Sequence, residues 1–157
     1  MSLGPRMVEG QRLTVQSEEE TARVAAALAA TLLPGSVVLL YGDLGAGKTA
    51  FVRGMAPALG IDPDEVSSPT FALVQPYAGS RATLFHVDLY RLEGAEIDEL
   101  GLDDLATDGV VVVEWAERLL RPPAGAIRVR LSDLGGDRRS IRIDCPGRAG
   151  SDPAEAD

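Results

Sequence analysis

Two periods alternate along this chain, and the switches between them mark its elements. Arg12-Leu13-Thr14-Val15 alternates polar and apolar, the spacing of a short half-buried strand. A helical period comes next. Val24, Ala25, Leu28, Ala29 and Leu32 recur three and four residues apart and predict a helix from Ser17 to about Leu33. Ser17 as N-cap and Glu20 three residues later form a capping box at its start, and Pro34-Gly35 stops it. Val37–Tyr41 is continuously apolar, the pattern of a strand covered on both faces. A glycine-rich turn then leads into a second helix from about Gly47 to Leu59. It buries Phe51, Val52, Met55 and Leu59, is cut short by Pro57 and closes at Gly60.

Beyond Gly60, strands dominate. Asp62–Thr70 reads as a loop with two prolines. Phe71–Tyr77 and Ala82–Leu89 flank Ala78-Gly79-Ser80-Arg81 and predict an antiparallel hairpin. Gly94–Leu105 is acidic and predicts a helix. Val110–Val113 predicts a second fully covered strand, ending in Glu114. Ala126–Leu131 and Ser140–Asp144 predict a last hairpin around Gly135-Gly136. Residues 1–10 read as a flexible leader, 11–145 as one domain and 146–157 as a polar, disordered tail. The expected fold is α/β: a three-layer sandwich whose mixed sheet is parallel at its centre and antiparallel at its margins.

Composition narrows the function. At 157 residues the chain suits one domain with a core of useful size, and no apolar run approaches the ~20 residues of a membrane span. The only cysteine, Cys145, cannot form an internal disulfide and fits a reducing cytosol, the expected location. A net charge of −9 argues against direct gripping of RNA or DNA, which calls for a basic surface. Of the 15 basic residues, Lys48 is the sole lysine, and there is no asparagine. A bias that replaces lysine by arginine everywhere else has spared one position, where a compact point charge on a flexible stem is required.

That position explains the exception. Gly42-Asp43-Leu44-Gly45-Ala46-Gly47-Lys48-Thr49 matches G-x-x-x-x-G-K-[ST], preceded by a buried strand and followed by an amphipathic helix. Glycines let successive N–H groups converge on an anion, and the helix N-terminus adds its positive end. Asp43, Leu44, Gly45, Ala46, Gly47, Lys48 and Thr49 are therefore the expected nucleotide cradle. Lys48 would reach the β- and γ-phosphates of ATP, and the Thr49 hydroxyl would bind Mg²⁺. The fold is accordingly P-loop NTPase-like.

Two acids end apolar strands at the edge where open α/β sheets bind ligands. Glu114 follows Val110–Val113, and Asp88 follows Thr83–Val87. Both are candidates for holding metal or orienting water, with their division of labour open. Ser67-Ser68-Pro69-Thr70-Phe71 can act as a loop that senses the γ-phosphate, or can be an ordinary proline turn. Trp115 can stack on a base or pack in the core. His86, the only histidine, reads as a packed strand residue.

In this order and spacing, four segments closely resemble the TsaE family, the bacterial P-loop ATPases of tRNA threonylcarbamoyladenosine biosynthesis. They are GDLGAGKT at Gly42–Thr49, Ser68-Pro69-Thr70-Phe71, His86-Val87-Asp88-Leu89-Tyr90-Arg91 and Glu114-Trp115. The resemblance spans roughly Thr14 to Asp144. It implies Mg²⁺-dependent binding of ATP and ADP, weak ATP hydrolysis by the chain alone, and association with the TsaB–TsaD pair, with tRNA met only through those partners. It further implies Thr49 and Glu114 at the metal, Asp88 as a nearby catalytic acid, Thr70 as a switch-like residue, and base contacts near Thr21 and just after Glu114-Trp115.

Against a GTPase stands the Asn-Lys-x-Asp motif that guanine specificity usually uses, which cannot be present in a chain with no asparagine and no second lysine. A small-molecule kinase would need an acceptor site, which nothing in the sequence marks, although Arg118 and Arg121 could serve on a lid. An ATP/ADP assembly switch without catalytic coupling stays open beside the ATPase reading.

Overall fold

The computed structural model describes residues 12–43, 45–67 and 74–146. Seven strands form one mixed sheet in the order β1-β7-β6-β2-β5-β4-β3. They are β1 (Arg12–Val15), β2 (Val37–Tyr41), β3 (Val74–Tyr77), β4 (Leu84–Asp88), β5 (Val110–Glu114), β6 (Ile127–Gly135) and β7 (Arg138–Asp144). The contiguous strands β6, β2, β5 and β4 are parallel, while β7 and β1 on one side and β3 on the other are antiparallel. The mixed sheet, parallel at its centre and antiparallel at its margins, is the one expected. Pro76, which has no N–H to donate, sits on edge strand β3.

The continuous apolar runs divide between two cores by their period of two. Val38, Leu40, Val110 and Val112 face the helices α1 (Glu18–Ala29) and α2 (Lys48–Met55). Val37, Leu39, Val111 and Val113 face α3 (Gly94–Asp98) and α4 (Leu102–Ala106), the latter contributing Leu102 and Ala106. A strand covered by helices on both sides has no polar face to spare, so the runs read as uninterrupted.

Two helix boundaries differ from the expected ones, and the second helix is shortened at Pro57 and closed at Gly60 as expected. The first helix ends at Ala29, short of Leu33. Arg81, in the connection between β3 and β4, donates to the carbonyls of Ala29, Ala30 and Leu32, so a distant guanidinium satisfies the helix end. The second helix changes to a 3₁₀ turn over Ala56–Leu59, where Pro57 removes a donor. Gly94–Leu105 is two short helices, because Gly101 enters the left-handed region at φ 65° and caps α4 instead of continuing α3.

Candidate functional site

Glu114 and Asp88 are paired neighbours at the C-terminal ends of the parallel strands β5 and β4. Glu114 also stands beside Leu40 of β2, whose end feeds the glycine-rich loop. The loop and both acids therefore converge at one sheet edge. The period of two sends Glu114, His86 and Asp88 to the same face as Val110, Val112 and Leu84, the face covered by α2.

Lys48 opens α2 and is 5% exposed. Its ammonium donates to the carbonyl oxygens of Gly42 and, at 3.0 Å, Asp43, which pins the side chain along the loop. It also lies 4.0 Å from the centre of the Trp115 ring, an attractive cation–aromatic contact. Burial lowers the Lys48 pKa from its usual value, and the carboxylates of Glu117, Glu114, Asp43 and Asp88 oppose that shift. One ammonium thus faces four acids. An anion entering this field would be favoured by an accompanying cation.

Thr49, one residue on, donates its hydroxyl to Glu114 at 2.9 Å and 3.1 Å from the two carboxylate oxygens. This hydroxyl–carboxylate pair is an all-oxygen donor set of the kind that suits Mg²⁺. Among the described residues no cluster of three His, Cys, Asp or Glu could hold a metal unaided. Asp88 sits beside the pair. Burial raises its carboxyl pKa, the Tyr90 N–H at 2.9 Å opposes the rise, and Glu114 adds to it.

His86 is fully buried and is not merely packed. Its Nε2 lies 2.6 Å from Glu114 Oε2, while its Nδ1 has no hydrogen-bond partner. The tautomer that suits both facts carries its proton on Nε2 and donates it to the carboxylate. The sequence held a usable signal: His86 is two residues before Asp88 on one strand, so both point the same way.

Trp115 leaves β5 at φ 61°, the only non-glycine residue with positive φ among those described, a conformation that costs of order 1–3 kcal/mol. The turn sets its ring against Lys48 and, at 5.0 Å between centroids, Tyr90. Two residues later the Glu117 carboxylate accepts from the Gly42 N–H at 2.7 Å. Trp115 and Glu117 also line a cavity of about 500 Å³ with Leu92, Ile97, Arg118 and Leu120. The strained turn thus touches both the glycine-rich loop and an open cleft.

The other expected site residues are less central or lie outside the described residues. Gly45, Ala46 and Gly47 complete the described part of the loop, and Gly47 caps α2 at φ 101°. Leu44 and Thr70 lie outside the described residues, as does most of the Ser67–Phe71 loop; Ser67 itself lies 3.4 Å from the Tyr77 hydroxyl. Thr21 is buried in the first turn of α1. Glu117 and Arg139, which meet the loop from distant elements, carried no signal in the sequence.

Residues 15–141 match the family model described as threonylcarbamoyl adenosine biosynthesis protein TsaE. The chain is 43% identical over 134 residues to the tRNA threonylcarbamoyladenosine biosynthesis protein TsaE of Rickettsia conorii, covering 83% of this chain and 75% of that one. It is 40% identical over 131 residues to the protein of the same description from Bacillus subtilis, covering 82% of each. The crystal structure of Bacillus subtilis YdiB superposes with a TM-score of 0.69 at 34% identity, over 91% of this chain and 90% of that one.

Proposed function

This chain belongs to the TsaE family, and from that premise we propose that it is a Mg²⁺-dependent ATPase serving tRNA threonylcarbamoyladenosine biosynthesis together with the TsaB–TsaD pair. The observation that carries the ATPase reading is the Thr49 hydroxyl on Glu114, one residue from a buried Lys48 pinned along a glycine-rich loop.

The roles follow from position. The loop N–H groups and Lys48 bind the phosphates. Thr49 and Glu114 would hold Mg²⁺, which would supply positive charge against the phosphates. Asp88, on the neighbouring strand and with a pKa raised by burial, is placed to orient water or take its proton. Trp115 shields the ammonium from solvent on its aromatic side. The partner reading rests on the family and on charge. A chain with net charge −9 gains little overall from an RNA polyanion, which favours a partner protein that presents the substrate.

The test is single-turnover hydrolysis with Glu114→Ala and Asp88→Ala, with ADP affinity measured alongside. Both variants are expected to lose roughly 10²-fold or more in rate and much less in ADP affinity. Unchanged rates would return both acids to ordinary strand ends. Adding TsaB–TsaD and an RNA substrate should make the modification depend on the same two acids. Hydrolysis that needs them and modification that does not would separate the ATPase reading from its place in the pathway.

A further inference from the structure

Arg139 reaches the phosphate loop from the far end of the chain. It lies on β7, where it pairs with Val15 of β1 and with Asp133 of β6, and its side chain is 17% exposed. Its Nε donates to the Ala46 carbonyl at 3.0 Å, and one terminal nitrogen donates to the Gly45 carbonyl at 3.2 Å. The other terminal nitrogen braces the group against its own hairpin, donating to Gly136 O and Arg138 O, both at 2.7 Å, and to Asp133 Oδ1 at 3.2 Å. Each of the three nitrogens is engaged, so the side chain is not a mobile arm.

We propose that Arg139 is a positioning residue for the phosphate loop, fixing two consecutive peptide planes so that the loop is set for phosphate before a nucleotide arrives. A trans peptide points its N–H opposite to its C=O. Holding the Gly45 carbonyl outward turns the Ala46 N–H inward, where it closes a turn on Asp43 O at 2.9 Å. Holding the Ala46 carbonyl outward turns the Gly47 N–H away from β7, at the mouth of α2. Gly47 suits this arrangement, since a Cβ there would stand 3.3 Å from Arg139 Nε. A lysine cannot take this place, because one ammonium on a flexible stem lacks the planar fork that spans two carbonyls and a hairpin. The inference rests on the nucleotide-binding reading and adds to it a residue from a different element.

Calorimetric titration of ADP and of a non-hydrolysable ATP analogue, each with Mg²⁺, tests it on wild type, Lys48→Ala, Arg139→Gln, Arg139→Lys and Asp133→Asn. The Arg139 variants should bind both nucleotides weaker by roughly tenfold or more and by similar factors, with KM rising more than kcat falls. Asp133→Asn, which loosens the brace without touching the loop, should show a smaller change in the same direction. In the nucleotide-free protein, the Gly47 amide should exchange faster in each Arg139 variant while amides of β2 and β5 keep their protection, which separates loop disorder from global unfolding. Wild-type affinity and wild-type Gly47 exchange in the Arg139 variants, with binding lost in Lys48→Ala, would overturn this inference alone. No binding by wild type would overturn the nucleotide reading with it.

Discussion

At the scale of single residues, the site is organised around one buried carboxylate. Glu114 is 3% exposed and accepts from Thr49 on one side and His86 on the other. A buried acceptor that loses a partner costs about 1–3 kcal/mol. His86→Phe keeps the volume and removes the donor, so it should destabilise the protein by about that amount. It should also slow hydrolysis more than it weakens ADP binding, because a free Glu114 no longer holds one orientation toward Thr49. His86→Gln, which returns an N–H near the position of Nε2, should recover part of both losses. Urea denaturation and single-turnover rates for the two variants decide the matter. A phenylalanine variant matching wild type in both would leave His86 as packing.

Elements meet closely where sequence gives little warning. Gly54 is the penultimate residue of α2, which runs on into the 3₁₀ turn, and in such helical surroundings glycine costs up to roughly 1 kcal/mol relative to alanine. Propensity alone therefore marks Gly54→Ala as stabilising. Packing reverses the sign. A Cβ at Gly54 would stand 2.7 Å from Ala22 Cα and 3.0 Å from Ala25 Cβ on α1. The backbone of a helix cannot yield as a side-chain end can, and overpacking of this kind costs about 1–3 kcal/mol. Gly54→Ala should lower the denaturation midpoint, and because α2 begins at Lys48, it should also weaken nucleotide binding by displacing the loop. A higher midpoint would mean that the helices part freely and that propensity wins.

For the whole molecule, the proposed nucleotide binding carries a consequence for stability. The loop and Thr49 on α2, the acids on β4 and β5, and Arg139 on β7 draw on both ends of the described chain, and only the folded sheet brings them together. A ligand that binds only the native state at a hundred times its dissociation constant stabilises it by about 2.7 kcal/mol. For a domain of this size that raises the melting temperature by roughly 5–10 °C. ATP with Mg²⁺ should produce this shift in wild type and almost none in Lys48→Ala, which loses the ammonium pinned along the loop. Differential scanning fluorimetry with and without chelator reads it, and an equal shift in both proteins would place the nucleotide elsewhere.

Much was legible in the chain itself, for physical reasons. Val37–Tyr41 and Val110–Val113 announce central strands because burial on both faces leaves no polar position. The glycine-rich loop with its lysine is legible as a motif because the residues that curve the backbone and supply the cation are neighbours in sequence. Strand-end acids are legible because a strand delivers its last side chain to a known edge. What the sequence could not decide depends on partners far apart along it. Arg81 ends α1 by taking its carbonyls, Gly54 owes its place to Ala22, and Trp115 bends into the left-handed region to lie on Lys48. His86 turns from packing into a partner of Glu114, and Glu117 and Arg139 join the loop across 75 and 93 residues of sequence. Local periodicity records which face of an element is buried; only the tertiary structure decides which polar atoms meet there.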